Sequence, residues 1–211
     1  MSELSKEDSE LKGVVLDLRN NPGWLLTTSI EVVDAVLDGG LVVYTEGRGA
    51  KSSESYQASS GDRLNGLPIV VLINEGSASA AEIVAGALQD HGRALILGTN
   101  SFGKGSVQTI FLLGDSRGIK LTTACYFTPN KRSIQGSGIK PDIIVQPADI
   151  RVWEKKNNMS TKEENLPRHL SSPSHQTNLE EKEVIISDNQ LHDALNLLQG
   201  LHLLNKIQFG S

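Results

Sequence analysis

The pentapeptide Ile69-Val-Val-Leu-Ile73 is apolar at every position and lies between Leu67-Pro68 and the turn Asn74-Glu75-Gly76-Ser77. A short, β-branched run bounded by turn residues is a strand, and this one is the strongest in the chain. The segment after it places Ala80, Ile83, Val84, Ala87 and Leu88 at i, i+3, i+4, i+7 and i+8, which predicts a helix with one small, buried face. The same pairing occurs upstream. Gly13-Val-Val-Leu-Asp-Leu-Arg19 is a buried strand that runs into the turn Asn20-Asn21-Pro22-Gly23. Leu26, Ile30, Val33 and Leu37 then form a helical stripe that Gly39-Gly40 terminates. Leu41 to Tyr44 is the next strand, and the polar, glycine-punctuated stretch from Glu46 to Gly66 suits a surface loop or hairpin. Ala94 to Leu97, Val107 to Leu113 and Ile119 to Phe127 are further strands. Strand and helix alternate through residue 98 and strands then follow strands, so the fold class is α/β, with helices covering the sheets.

Composition narrows the function classes. The 20 Lys and Arg residues against 25 Asp and Glu leave a net charge of −5, which removes the long-range attraction that nonspecific nucleic-acid binding requires. Nine aromatics (four Phe, two Trp, three Tyr) leave little for base stacking, so no nucleic-acid partner is expected. The single cysteine, Cys125, excludes an internal disulfide and a cysteine-based zinc cluster. The first ten residues show no basic start followed by an apolar run, so no signal peptide is expected there, and no stretch approaches the roughly 18 consecutive apolar residues of a membrane span. Composition divides the 211 residues into a core over 1–150, a polar and mobile linker over 151–187, and a terminal amphipathic helix over 188–208. In that helix Leu191, Leu195, Leu198, Leu201, Leu204 and Ile207 form an apolar stripe, which must pack on the domain or on a second copy of the chain.

The chemistry concentrates around Gly76-Ser77-Ala78-Ser79-Ala80-Ala81-Glu82. A strand ends, glycine turns the chain and two serines enter a helix, where backbone N–H groups and the helix dipole favour a developing oxyanion. Either serine could instead simply cap the helix. A nucleophilic serine needs a base. His91 lies about twelve residues from Ser79, roughly 18 Å along the same helix, and is expected to interact with the helix terminus instead. Lys104, in the turn Ser101-Phe102-Gly103-Lys104-Gly105, is the better base, because flanking apolar strands could bury its amine and desolvation favours the neutral form. The same segment opens like a phosphate-binding loop, Gly98-x4-Gly103-Lys104, but Gly105 stands where Ser or Thr is required and a strand follows instead of a helix.

Leu16-Asp-Leu-Arg-Asn-Asn-Pro-Gly23, Gly76-Ser-Ala-Ser-Ala-Ala-Glu-Ile83, Ala87-Leu-Gln-Asp90, Ser101-Phe-Gly-Lys-Gly-Ser-Val-Gln108 and Gly138-Ile-Lys-Pro-Asp142 together resemble the carboxyl-terminal processing peptidases, or tail-specific proteases. The resemblance spans about residues 13–147. It implies a crotonase-like and Clp-protease-like α/β core that cuts near the carboxyl termini of protein or peptide substrates through a Ser/Lys dyad, with no metal or organic cofactor. It further implies a periplasmic or exported location. By that resemblance Ser79 is the nucleophile and Lys104 the general base, 25 residues on. Gln108 orients the lysine, and strand alternation would put both side chains on one face. The backbone N–H groups of Ala80 and of the residue after Gly23 line the oxyanion hole. The family usually has glycine at that last position, where this chain has Trp24. Members also carry an export signal, a PDZ domain and early strands ahead of the segment matching Gly13, and these are expected to be missing here. An alternative reading is therefore an inactive member that binds peptide or protein through the same cleft. A coenzyme A-dependent acyl-transfer enzyme of crotonase type is disfavoured by the Ser79/Lys104 combination.

Overall fold

The computed structural model describes residues 11–23, 25–47, 53–114, 117–148 and 188–209. The stretch expected to be a linker, 151–187, lies outside the described residues, as does Trp24. In chain order the elements are β1 (Val14–Asp17), α1 (Leu26–Asp34), β2 (Gly40–Gly47), β3 (Ser55–Ala58), β4 (Ile69–Ile73), α2 (Ala80–Asp90), β5 (Ala94–Gly98), β6 (Ser106–Gly114), β7 (Arg117–Phe127), β8 (Ile143–Ile144) and α3 (Asn189–Phe209). The Glu46–Gly66 stretch thus contributes the end of one strand and the whole of β3.

The strands form two four-stranded sheets, ordered β1-β4-β5-β8 and β3-β2-β7-β6. The first is parallel throughout, with Val14 opposite Ile69 and Ile69 opposite Ala94. A parallel sheet needs cover on both faces, and its central strand is therefore apolar at every position. All five residues of β4 are buried. Ile69, Val71 and Ile73 face one cluster with Ile83, Val84, Ala87 and Leu88 of α2. Val70 and Leu72 face the other, with Leu97, Ala194 and Leu198. The terminal helix expected from the sequence is present, and it closes this second face of the chain's own sheet. Among its described residues Gln190, Ala194 and Leu198 are buried, while Leu191, Leu195 and Leu204 of the expected stripe are exposed. Ala194 takes the inward position because a small side chain lets the helix approach the sheet closely.

The second sheet is antiparallel. Tyr44 and Phe127 stack across β2 and β7 with ring centroids 5.2 Å apart. Beyond the core, β6 and β7 extend as a hairpin that exposes Ile110, Phe111, Leu112, Ile119 and Leu121.

Helix α2 differs from its expected form. It is buried at every residue from Ala80 to Leu88, not along one face, and it packs against β5, β2 and α1. Its small residues permit this. A Cβ on Gly86 would stand 2.8 Å from Thr128 Cγ2 and 2.9 Å from Ile139 Cδ1. His91 closes the helix as expected: it is the C-cap residue, and its backbone N–H donates to Ala87 O at 3.1 Å. Its Nε2 donates to Leu41 O at 2.7 Å and anchors the start of β2.

Candidate active site

Three segments meet at the amino-terminal end of α2. The first is the turn after β1. Ser77 is fully buried, and its hydroxyl donates to Leu18 O at 2.7 Å while accepting from Asn74 N at 3.0 Å. Asn74 Oδ1 accepts from Asn20 N and Gly76 N, and Ala78 N donates to Asn21 O at 2.9 Å. Ser77 is thus committed to joining β1 to the entry of α2, leaving Ser79 as the half-exposed serine of the two.

Ser79 has φ 53° and ψ −113°, a conformation sparsely populated by residues with a side chain. It is the N-cap residue of α2. Its carbonyl accepts from Ile83 N at 3.0 Å and its N–H donates to Glu82 Oε2 at 2.8 Å. Gly23, at φ 75°, lies against this elbow: a Cβ there would meet Ala78 O at 2.4 Å, Ala80 N at 2.6 Å and Ser79 Cβ at 2.9 Å. Ala80 is the first helical residue, so its N–H belongs to the initial donors that have no intrahelical acceptor.

The third segment is the lysine turn. Phe102 N donates to Ser77 O at 2.9 Å, Gly103 N to Glu82 Oε1 at 2.6 Å, and Lys104 N to Glu82 Oε2 at 2.8 Å. Gly136 N and Tyr126 N donate to the carbonyls of Gly103 and Gly105, and Gly105 N donates to Gln135 Oε1. Main chain approaches so closely here that a Cβ on Gly105 would be 2.5 Å from Gln135 N. Ser79 N and Lys104 N each lie 2.8 Å from the same carboxylate oxygen, so the two nitrogens are within twice that distance of one another.

Two expectations are corrected. Lys104 is exposed instead of buried, because its turn sits at the rim of the site with the flanking glycines, not the lysine, taking the enclosed positions. Strand β6 begins only at Ser106, so Lys104 and Gln108 do not alternate along one strand. Gln108 stands exposed opposite Thr122, next to a register shift at Val107.

Beside the elbow is a cavity of about 150 Å³ whose walls include Leu16, Leu18, Leu25, Val32, Ala80 and Val84. Its walls are mainly aliphatic, and Gly23 and Ala80 both line it. The feature the sequence reading passed over is Glu82, 0% exposed, whose carboxylate joins the Ser79 elbow to the lysine turn. The spacing Ser79-x-x-Glu82 of a capping box was the signal that could have found it.

A family model described as Peptidase family S41 matches residues 1–145. The chain belongs to this peptidase family. Among S41 relatives, the carboxy-terminal-processing protease of Bartonella bacilliformis is 59% identical over 137 residues, covering 65% of this chain and 32% of the relative. The carboxyl-terminal-processing protease of a Synechocystis species is 45% identical over 140 residues, covering 66% and 32%. The chain therefore spans about a third of the length of these relatives. Among solved S41 folds, the photosystem II D1 C-terminal processing protease superposes with a TM-score of 0.63 at 38% identity, over 69% of this chain and 37% of that one.

Proposed function

We propose that this S41 chain carries the catalytic site of a serine endopeptidase that cleaves proteins near their carboxyl termini. The observation that supports it best is the convergence of Ser79 and Lys104, 25 residues apart, on one carboxylate oxygen. Lys104 Nζ takes the proton of Ser79 Oγ as the oxygen bonds to the substrate carbonyl carbon. The oxyanion is met by the N–H groups of Ala80 and Trp24. The proton then passes to the departing amine as the C–N bond breaks, and water hydrolyses the acyl-enzyme. Gln108 orients the lysine. Because Lys104 is exposed, a peptide lying across the elbow would itself cover the amine and exclude water from it. The aliphatic cavity takes the side chain preceding the scissile bond. An exported or periplasmic location belongs to the same proposal; among the described residues no helix is long and apolar enough to cross a membrane. Should copies of the chain associate through α3, its exposed Leu191 and Leu195 are the residues they would use.

The test is labelling of the purified chain by a fluorophosphonate, read by intact mass, beside cleavage of peptides with leucine or aspartate before the scissile bond. Labelling at Ser79, its loss in Ser79→Ala and Lys104→Ala, and preference for leucine by about 100-fold are expected. Labelling that survives both substitutions would refute the dyad. Activity that appears only in Trp24→Gly would instead favour the peptide-binding alternative.

A further inference from the structure

We infer that Glu82 is the positioning residue of the dyad, a buried side chain that sets the spacing of Ser79 and Lys104 and takes no part in proton transfer. The inference rests on the dyad reading above. Glu82 accepts four hydrogen bonds from neutral donors. Oε1 receives Ser101 Oγ at 2.5 Å and Gly103 N at 2.6 Å, and Oε2 receives Ser79 N and Lys104 N, both at 2.8 Å. Charge-assisted bonds of this kind are about twice as strong as neutral ones, and a carboxylate offers about four lone-pair sites. All four are in use, so Glu82 has no free site with which to take the Ser79 hydroxyl proton.

The geometry explains why a glutamate is needed. Ser79 must hold φ 53°, a backbone conformation that persists only where the surroundings fix it. Glu82 fixes it by taking the Ser79 N–H from within the first turn of the same helix, and the same oxygen takes the Lys104 N–H from a separate segment. Ser101 extends the network, since its Oγ also accepts from Ile139 N at 2.6 Å. This ties the Gly138–Asp142 motif to the lysine turn. A glutamine can keep only one of the two oxygens. Turned with its NH2 toward Ser101, whose hydroxyl can accept instead of donate, it retains the Ser79/Lys104 bridge but sets a donor against Gly103 N–H, which loses its acceptor. An aspartate is one methylene shorter and cannot reach both turns.

The test compares Glu82→Gln and Glu82→Asp with the unaltered chain by fluorophosphonate labelling rate, by kcat and KM on the leucine peptide, and by the pH profile of kcat. Circular dichroism of each variant reports folding, and the amide proton resonances of Ser79, Gly103 and Lys104 report the bonds themselves. A fall in kcat of about tenfold for Gln and about 100-fold or more for Asp is expected, with KM within about twofold. The pH profile of Gln should keep its shape. In Gln the downfield Gly103 amide should move while those of Ser79 and Lys104 stay. Labelling of Gln and Asp at the unaltered rate would overturn the inference and leave the dyad standing, as would loss of a limb of the pH profile in Gln, which would make Glu82 an acid or base. Absence of labelling in the unaltered chain would remove the dyad and this inference together.

Discussion

Gly23 and Ser79 are both held at positive φ, and they touch. The glycine is obligatory on two grounds, its φ of 75° and the 2.4 Å that would separate a Cβ from Ala78 O. Gly23→Ala should therefore destabilise the chain by at least about 2 kcal/mol, read from its urea midpoint. It should also abolish labelling of Ser79 under conditions where the variant remains folded; full labelling would show that the elbow does not depend on this contact. At this scale the sequence disclosed residue types more readily than their surroundings. The Ser79 and Lys104 motifs could be read directly, but the exposure of Lys104 could not, because it follows from Gly103 and Gly105 being pressed against residues 134–138. Glu82 was visible only as half of a capping box, while three of its four donors come from residues 101–104, far along the chain.

The elements themselves were legible where one physical signal dominated. β4 is apolar throughout and is a strand; Gly39 and Gly40 follow the stripe that became α1. β3 was legible only as one arm of the hairpin that Glu46 to Gly66 allowed, since Ser55–Ala58 is largely polar and acquires strand form by pairing with β2. Its Tyr56 illustrates what that edge contributes. The phenol donates to Glu54 Oε2, and this bond, followed by burial, raises its pKa from 10.0 to about 12. The proton is held more tightly folded than unfolded, so the stabilisation is complete below pH 10 and is lost as pH rises from 10 toward 12. Tyr56→Phe should flatten the fall of the urea midpoint across that interval without abolishing it, because Tyr44 and Tyr126 are raised as well, both mainly by burial. An unchanged slope would show that the bond to Glu54 does not persist in solution.

Across the whole molecule, the change from alternating helix and strand to successive strands does mark two kinds of sheet. The division in space nevertheless does not follow chain order. β2 and β3 precede β4, yet they belong with β6 and β7. Hydrophobic periodicity reports which face of a segment is buried and carries no information about its pairing partner, so this exchange was beyond its reach. The terminal helix is a similar case. Its leucine spacing suggested one face, but the residues turned inward are Gln190, Ala194 and Leu198, selected by the shape of the sheet they cover.

Helix α2 passes between β5 of one sheet and β2 of the other, and it is enclosed from Ala80 to Leu88. With no side of it facing water, solvent deuterons can reach its backbone only when the layers around it part. Its central amides, Ile83 to Leu88, should accordingly exchange at the rate set by global unfolding, slower than those of the exposed β6–β7 hairpin and with the same denaturant dependence as overall stability. Fast exchange there would mean that Ser79 is mounted on a support that loosens independently of the rest of the chain.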